Sequence, residues 1–240
     1  LLNIPGGYFK TIFDKRINWN YKTQPEKNLD GREISWPRGR LLGGTGSING
    51  MVYIRGQQDD YNAWELLGNS EWGFKNVLPY FKKSEKQHKN NIVLDDKFHS
   101  SSGALSITDY PDNNLLCDVF IKASKELNVK KNTDFNGATQ EGAGYYQITT
   151  NNWFRSDTLA AYLLPVRKRH NLKILTDAHV TKIIIKNRRA VGIECLCSNK
   201  LINLKSNKEI ILCAGTINSP QILQLSGIGD AKCLKNHGIS

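Results

Sequence analysis

The 240-residue sequence predicts a mixed α/β fold, and three stretches carry that expectation. In the first part of the chain apolar residues recur at helical spacing, as in Leu116, Val119, Phe120, Ala123 and Leu127. From Leu172 onward the period changes to alternation. Residues 180–186 and 190–197 flank Asn187-Arg188-Arg189 as the arms of a hairpin would, and residues 201–204 add a third strand to a small antiparallel meander. Finally, residues 209–214 form a compact apolar run that ends in small residues and leads into a helix. Strand–turn–helix units of this kind build open α/β sheets, whose ligands bind at the carboxyl ends of the parallel strands.

Along the chain, residues 1–38 mix polar and aromatic side chains with turn signals at Pro5-Gly6-Gly7, Pro25 and Asp30-Gly31. They read as irregular structure with a short hairpin around Asp30-Gly31, over Trp19, Tyr21 and Trp36. Asp59 or Asp60 can cap a short helix carrying Tyr61, Trp64 and Leu67. A second helix is expected from Asn76, with Pro79 in its first turn, where a missing N–H is tolerated. Residues 85–102 read as a loop and 104–107 as a strand. The 116–127 repeat is an amphipathic helix with one face toward a core. Residues 132–155, rich in glycine and asparagine, are loop and strand. Ser156 or Asp157 caps a helix that stops at Pro165. Residues 172–175 are a short strand. In the last unit Ser219 suits an N-cap, Pro220 the first helical position and Gly227 the position just past the helix end.

One stretch organises the chemistry. Residues 39–56 hold six glycines, the hydroxyls Thr45 and Ser47, Asn49, and the cations Arg40 and Arg55. Glycines let a backbone turn sharply and approach a ligand with no Cβ in the way. Successive N–H groups in such a turn make an anion-binding concavity, which suits a pyrophosphate. A glycine-rich surface turn has the same composition, but this segment continues into the apolar Met51-Val52-Tyr53-Ile54, and so toward a core.

Composition narrows the classes. Mean hydropathy is −0.46, and no run approaches the ~18 apolar residues of a membrane span. The net charge is +11, yet the cations are scattered and no aromatic ladder is interleaved with them, so a solvated basic surface is favoured over nucleic-acid binding. The five cysteines include no C-x-x-C pair. Cys195 and Cys197 fall on one face of a strand, and buried thiols are the expectation. No N-x-S/T acceptor occurs, and compartment is left open.

Residues 39–62 and 215–229 together resemble the two signature stretches of the glucose–methanol–choline (GMC) oxidoreductases. The first carries the G-R, the Gly43-Gly44 pair, the hydroxyls, Asn49, Tyr53 and Gly56; the second runs Gly215-Thr216-Ile217-Asn218-Ser219-Pro220 and on to Gly229. Segments such as Trp36-Pro37-Arg38-Gly39 and Leu78-Pro79-Tyr80-Phe81-Lys82-Lys83-Ser84-Glu85 resemble the insect glucose dehydrogenase-like members. The resemblance implies a partial FAD-binding Rossmann-like domain with an antiparallel meander and part of a substrate-binding domain. It also implies what these residues lack: the opening G-x-G-x-x-G unit that holds the FAD pyrophosphate, and the catalytic histidine, expected beyond Ser240. The chain is thus expected to be an internal fragment of the N-terminal region, with no catalytic residue of its own.

The cofactor contacts implied by the resemblance are Leu42, Gly43, Gly44 and Thr45 along the cofactor, with Asn49, Gly50, Met51 and Val52 beneath the flavin ring. Val180 is implied as a backbone contact to the adenine, and Ala214 and Gly215 as a strand end near the cofactor. Arg40 and Ser47 complete the set as charge and donor. In some members a histidine of the first loop holds the flavin covalently; Ile48 stands at that place, which implies non-covalent FAD. Gly46 and Asp157 stand where hydroxyl residues are more usual. None of His88, His99, His170, His179 and His237 falls in a family catalytic motif. The leading expectation is an FAD-dependent oxidoreductase acting on the CH–OH of an alcohol or sugar, with a quinone, dye or O2 as acceptor and the fragment inactive alone. A non-catalytic FAD-binding relative and a basic surface-binding module are the alternatives. Secretion would rest on the resemblance only.

Overall fold

The computed structural model describes residues 1–88, 95–111 and 114–239. The chain divides into two compact units, Leu1–Arg169 and His170–Ser240.

The first unit opens with a short helix α1 (Tyr8–Thr11) and a hairpin of β1 (Tyr21–Lys22) and β2 (Ser35–Trp36), paired Tyr21 to Trp36 and Lys22 to Ser35. Asp30 (φ 53°) and Gly31 (φ 71°) supply the left-handed turn that the sequence announces. Trp19 and Tyr21 stack with centroids 6.0 Å apart, while Trp36 is half exposed. Helix α2 (Gln58–Leu66) begins with a capping box between Gln57 and Asp60, so Asp60 acts as the reciprocal partner and not as the cap itself.

Helix α3 (Phe74–Ser84) starts two residues before Asn76, because Asn62 Oδ1 on α2 accepts the Phe74 N–H at 3.1 Å. That cap comes from another element, which no local pattern announces. Pro79 consequently sits inside the helix and not in its first turn, and the Lys75 carbonyl loses its usual donor.

The loop expected over 85–102 contains a strand. β3 (Glu85–Gln87) pairs in parallel with β4 (Leu105–Ile107), Glu85 opposite Leu105. The part of that loop at 89–94 lies outside the described residues. Helix α4 (Leu115–Glu126) forms where its repeat predicts, capped by Asn114 Oδ1 accepting the Leu116 N–H at 2.9 Å. Its apolar face is not turned to a core. Leu116, Val119, Phe120 and Leu127 are 76%, 54%, 69% and 79% exposed, and Ile121 alone of the helix is buried. The period fixes the stripe, but what covers a stripe is a tertiary matter.

β5 (Thr150–Asn151) and β6 (Phe154–Arg155) form a tight hairpin through Asn152 (φ 46°) and Trp153 (φ 67°). A π-helical turn Leu159–Leu163 follows, with Asp157 Oδ1 accepting the Ala160 N–H at 2.8 Å. Asp157 therefore caps, as expected, but over a wider turn than an α-helix. The core of this unit holds Ile48, Met51, Phe74, Phe98, Ile107, Ile121 and Phe135.

The second unit is the expected meander. β7 (Ala178–Lys186), β8 (Arg189–Cys197) and β9 (Lys200–Lys205) lie in sequence order, all antiparallel. Both connections are two-residue turns with paired positive φ, Asn187/Arg188 (50°, 62°) and Ser198/Asn199 (48°, 63°), whose twist matches that of the strands. Helix α5 (Gly215–Leu225) packs on β7, where Ser226 Oγ accepts the Ile183 N–H at 2.8 Å beside a bulge in the β7–β8 pairing. A short helix α6 (Ala231–Asn236) follows. Buried Ile183, Cys195, Ile222 and Leu234 form this unit's core.

Some expectations for this unit need correction. Residues 209–214 and 172–175 do not pair as strands. Among the described residues no strand offers 209–214 a ladder, and Ile211 is 76% exposed; an apolar β-prone run marks a buried strand only once neighbours accept its N–H and C=O groups. Helix α5 begins at Gly215, not after Ser219. Ser219 is not the N-cap; that position is Ala214, and Ser219, inside the helix, accepts the Ala214 N–H at 3.1 Å. Gly227 (φ 82°) stands past the end as expected, with Gly227 N–H to Gln224 O at 3.0 Å and Ile228 N–H to Leu223 O at 2.9 Å, the paired bonds of a Schellman ending. Cys195 is buried with its Sγ 3.6 Å from that of Cys197, but Cys117, Cys213 and Cys233 are exposed.

Candidate flavin loop and its buried support

The glycine stretch folds as a tight left-handed entry into a 3-10 turn. Gly43 (φ 88°) and Gly44 (φ 58°) lead into the turn Gly44–Ser47, and Ile48, 1% exposed, pins the loop to the core. The two glycines have different reasons to lack a side chain. A Cβ on Gly43 would collide with Ser47 Oγ and stand 3.2 Å from Asp157 Oδ2, whereas one on Gly44 would meet nothing within 4 Å. Gly43 is closed by the protein; Gly44 opens onto free space. Gly50, past the turn, is open in the same way.

The side chains of the loop mostly turn inward. Thr45 Oγ1 accepts the Gly39 N–H at 3.1 Å. Ser47, 3% exposed, hydrogen-bonds to Asp157 Oδ2. Its hydroxyl has one proton to donate, so the expectation that Ser47 offers a donor to a ligand is corrected: it braces the loop from behind. Arg40 is exposed and lies over the Trp19 ring at 5.1 Å. Arg55 is not a free cation at all. It is buried and ion-paired to the fully buried Glu85.

Asn49, Gly50 and Val52 face outward, while Met51 is buried in the left-handed region at φ 65°. The backbone is fixed on either side by Thr149 N–H to Met51 O and Tyr53 N–H to Gln147 O, both 2.8 Å. Among the described residues, the N–H groups of Gly50 and Val52 have no acceptor. Leu42 is 42% exposed in the same loop. In the second unit Val180 lies on β7 and Ala214 precedes α5. A Cβ on Gly215 (φ 87°) would meet nothing within 4 Å.

The apolar run past the loop goes into a polar interior. Arg55 Nη1 donates to Phe98 O at 2.8 Å, and the Arg55 N–H to Asn136 Oδ1 at 2.7 Å. Glu85 also bonds Tyr53 Oη at 3.1 Å and His99 Nδ1 at 2.7 Å, and His99 Nε2 reaches Asp134 Oδ2 at 3.0 Å. Burial by itself would push the His99 pKa down, but its hydrogen bonds to Asp134 and Glu85 outweigh this and raise it to about 9. Burial raises Tyr53 to about 12. Asp134 is held below the ordinary carboxylate value: its burial acts upward, and the bond from His99 overrides it. Sequence reasoning missed this cluster. Glu85 and His99 lie in a stretch that reads as polar loop, and nothing in its period marks them as buried. A cleft of about 310 Å3, of mixed polar and apolar lining, adjoins the cluster between Arg55 and Gln140, and its lining includes none of residues 42–52. Among the described residues no group of acids, histidines or cysteines is placed to hold a metal, and no helix is long and apolar enough to cross a membrane.

A family model described as "GMC oxidoreductase" matches residues 4–238. The chain belongs to that family. Among its curated GMC relatives, the alcohol dehydrogenase [acceptor] of Pseudomonas putida is 41% identical over 242 residues, covering 100% of this chain and 43% of the relative. The mitochondrial choline dehydrogenase of Homo sapiens is 36% identical, covering 99% of this chain and 39% of the relative. Among solved structures, the pyridoxine 4-oxidase from Mesorbium loti superposes with a TM-score of 0.90 at 28% identity, covering 100% of this chain and 46% of that one. An FAD-dependent oxidoreductase from Chaetomium thermophilum superposes at 0.88 and 29%, covering 100% and 43%. The chain therefore spans less than half the length of these GMC relatives. The curated ones are named for alcohols and choline, which is broader than the insect glucose-type resemblance of the sequence.

Proposed function

We propose that this chain is the FAD-binding region of a GMC oxidoreductase that oxidises the CH–OH group of a small alcohol or sugar. The observation that carries the reading is the open face of the first signature: Gly44 and Gly50 with free space above them, and the unpartnered N–H groups of Gly50 and Val52. Such a face fits a flat heterocycle whose heteroatoms accept hydrogen bonds, laid against backbone, and it would be filled by any side chain at Gly44. FAD, when bound, supplies a hydride acceptor. The chain's own part is to hold and polarise it: Leu42, Gly43, Gly44 and Thr45 along its length, and Asn49, Gly50, Met51 and Val52 beneath the ring, where the free N–H groups stabilise negative charge. Val180, Ala214 and Gly215 are cofactor residues by the family resemblance alone, and Arg40 adds positive charge. Ile48, buried and aliphatic, offers no covalent link.

We assign no catalytic base within the chain. His99 is cationic up to about pH 9 and wedged between two carboxylates, so it has no lone pair to accept a hydroxyl proton at neutral pH. In this reading residues 39–62 and 215–229 are the two signatures, and residues 1–240 serve the cofactor while the proton-accepting group comes from elsewhere in the enzyme. The curated relatives named for choline and for alcohols support an alcohol substrate; glucose, suggested by the insect-type segments, is the narrower form of the same reading. The test is to purify the full-length gene product, identify its flavin after acid release, and assay choline, aliphatic alcohols and glucose with a dye acceptor and with O2. Released FAD together with alcohol-dependent bleaching of the visible band is the expected result. A colourless protein that gains no flavin on reconstitution would refute the proposal.

A further inference from the structure

We propose that Arg155 is a positioning residue for the flavin loop: it holds the Asn49 carboxamide so that its NH2 group, with the Gly50 and Val52 N–H groups, points outward as one row of donors. The inference rests on the reading of residues 42–52 as the flavin-facing loop and extends it to a residue outside either signature.

Arg155 is 5% exposed, at the end of β6. Its Nη1 donates to Gly46 O at 3.0 Å and to Asn49 Oδ1 at 2.8 Å, and its Nε donates to Leu2 O at 3.1 Å. One planar guanidinium thus ties the middle of the 3-10 turn to the outward corner of the loop, a geometry that an ammonium cannot copy. Asn49 Oδ1 also accepts the Met51 N–H at 3.1 Å. With both donors on one side of the carboxamide, its oxygen must face inward and its NH2 group outward. The backbone reinforces the arrangement, since the β5–β6 hairpin carries Arg155 and the adjoining Thr149 bonds Met51 O. The loop needs such a hold. Met51 is a non-glycine residue in the left-handed region, a conformation that persists only when its surroundings over-determine it.

Arg155 is also a buried cation without an ion pair. Its Nη2 has no partner, and no carboxylate stands at ion-pair distance from it among the described residues. Burial works against this charge and Asp157 supports it from beyond ion-pair distance; the part that Asp157 leaves uncompensated favours negative charge on whatever rests against Asn49 and Gly50.

The experiment compares Arg155→Met, Arg155→Lys, Asn49→Ala and Asn49→Asp in the full-length gene product, by amide exchange over residues 46–52 and by flavin content and reduction potential. Arg155→Met should speed exchange of the hydrogen-bonded Ile48, Asn49 and Met51 N–H groups by ~tenfold or more while leaving α3 unchanged, a local opening. Arg155→Lys should fall between, and serves if the Met variant does not fold. Asn49→Ala combined with Arg155→Lys should be no worse than the more damaging of the two alone. Asn49→Asp keeps a partner for Arg155 but turns the outward donor into an acceptor, so it should preserve slow exchange while lowering flavin occupancy and shifting the potential downward. Unchanged exchange in both Arg155 variants would overturn the positioning role. Unchanged flavin content and potential in Asn49→Asp, with exchange accelerated in the Arg155 variants, would instead refute the flavin-facing reading of the loop.

Discussion

At the residue scale, the two adjacent glycines of the first signature separate folding from binding. Gly43→Ala puts a Cβ against Ser47 Oγ and leaves it at positive φ; the clash and the strain together should cost about 2–4 kcal/mol. Gly44→Ala meets nothing and should cost only about 1 kcal/mol of backbone strain, yet it places a methyl group on the open face. Chemical denaturation combined with flavin content should therefore show Gly44→Ala folded and flavin-poor, and Gly43→Ala poorly folded. A second residue-scale prediction concerns His99. A pKa raised from 6.5 to about 9 means that the folded state binds this proton more tightly. Its stabilisation is complete below the unfolded value, declines as pH rises, and is lost above about 9. The shift corresponds to about 3 kcal/mol at most. His99→Gln should flatten the stability profile between pH 6.5 and about 9, read by urea titration at several pH values. Asp134, lowered in the same cluster, acts in the opposite direction and loses its contribution only as pH falls below the ordinary carboxylate range.

At the element scale, the turns of the meander are where local chemistry is not at its optimum. Asn187-Arg188 adopts two positive φ values, the conformation for which Asn-Gly is best suited. Arg188 gains nothing there that glycine would lose, so Arg188→Gly should stabilise the second unit by about 0.5–1 kcal/mol, measured as a raised denaturation midpoint with unchanged m-value. Helix α4 shows the limit of local signals. Its repeat specified a helix, its cap was satisfied by Asn114, and its apolar stripe nevertheless faces outward. Helices α3 and α5 each begin earlier than their local signals indicate: Asn62 accepts the Phe74 N–H and Ser219 the Ala214 N–H, from places a linear reading does not assign to that duty.

At the scale of the whole molecule, the division into two units runs past Arg167-Lys168-Arg169, three exposed cations in a short turn before the strandless residues 170–177. Limited trypsin digestion of the native chain is expected to cut at 167–169 before other basic sites, giving two fragments that mass spectrometry can assign; early cleavage within β7 or α3 would contradict the division. The same scale governs activity. Expressed alone with excess FAD and simple alcohols, residues 1–240 should show no turnover in dye-linked or oxygen-consumption assays. The one buried histidine with two carboxylate partners is held cationic, and general-base help is commonly worth ~10²–10⁴-fold. Flavin-dependent turnover abolished by changing one of the five histidines would disprove this.

The mixed α/β class, the meander with its turns, the hairpin at Asp30-Gly31 and the loop of glycines are legible in the amino-acid order. Each is set by short-range physics: side-chain period, positive φ and the absence of a Cβ. Tertiary structure alone decided which of the loop's polar groups remain free. Ser47 and Arg55 looked available from composition and are spent on Asp157 and Glu85, residues 110 and 30 positions away; the N–H groups of Gly50 and Val52 carry no mark in the sequence and are open. Whether residues 209–214 pair was likewise not a local matter, since a strand's hydrogen bonds belong to its neighbours. A hydrogen bond or ion pair spanning many residues leaves no periodic trace, and so the chemistry of the loop became legible only when the chain had brought its partners, or withheld them.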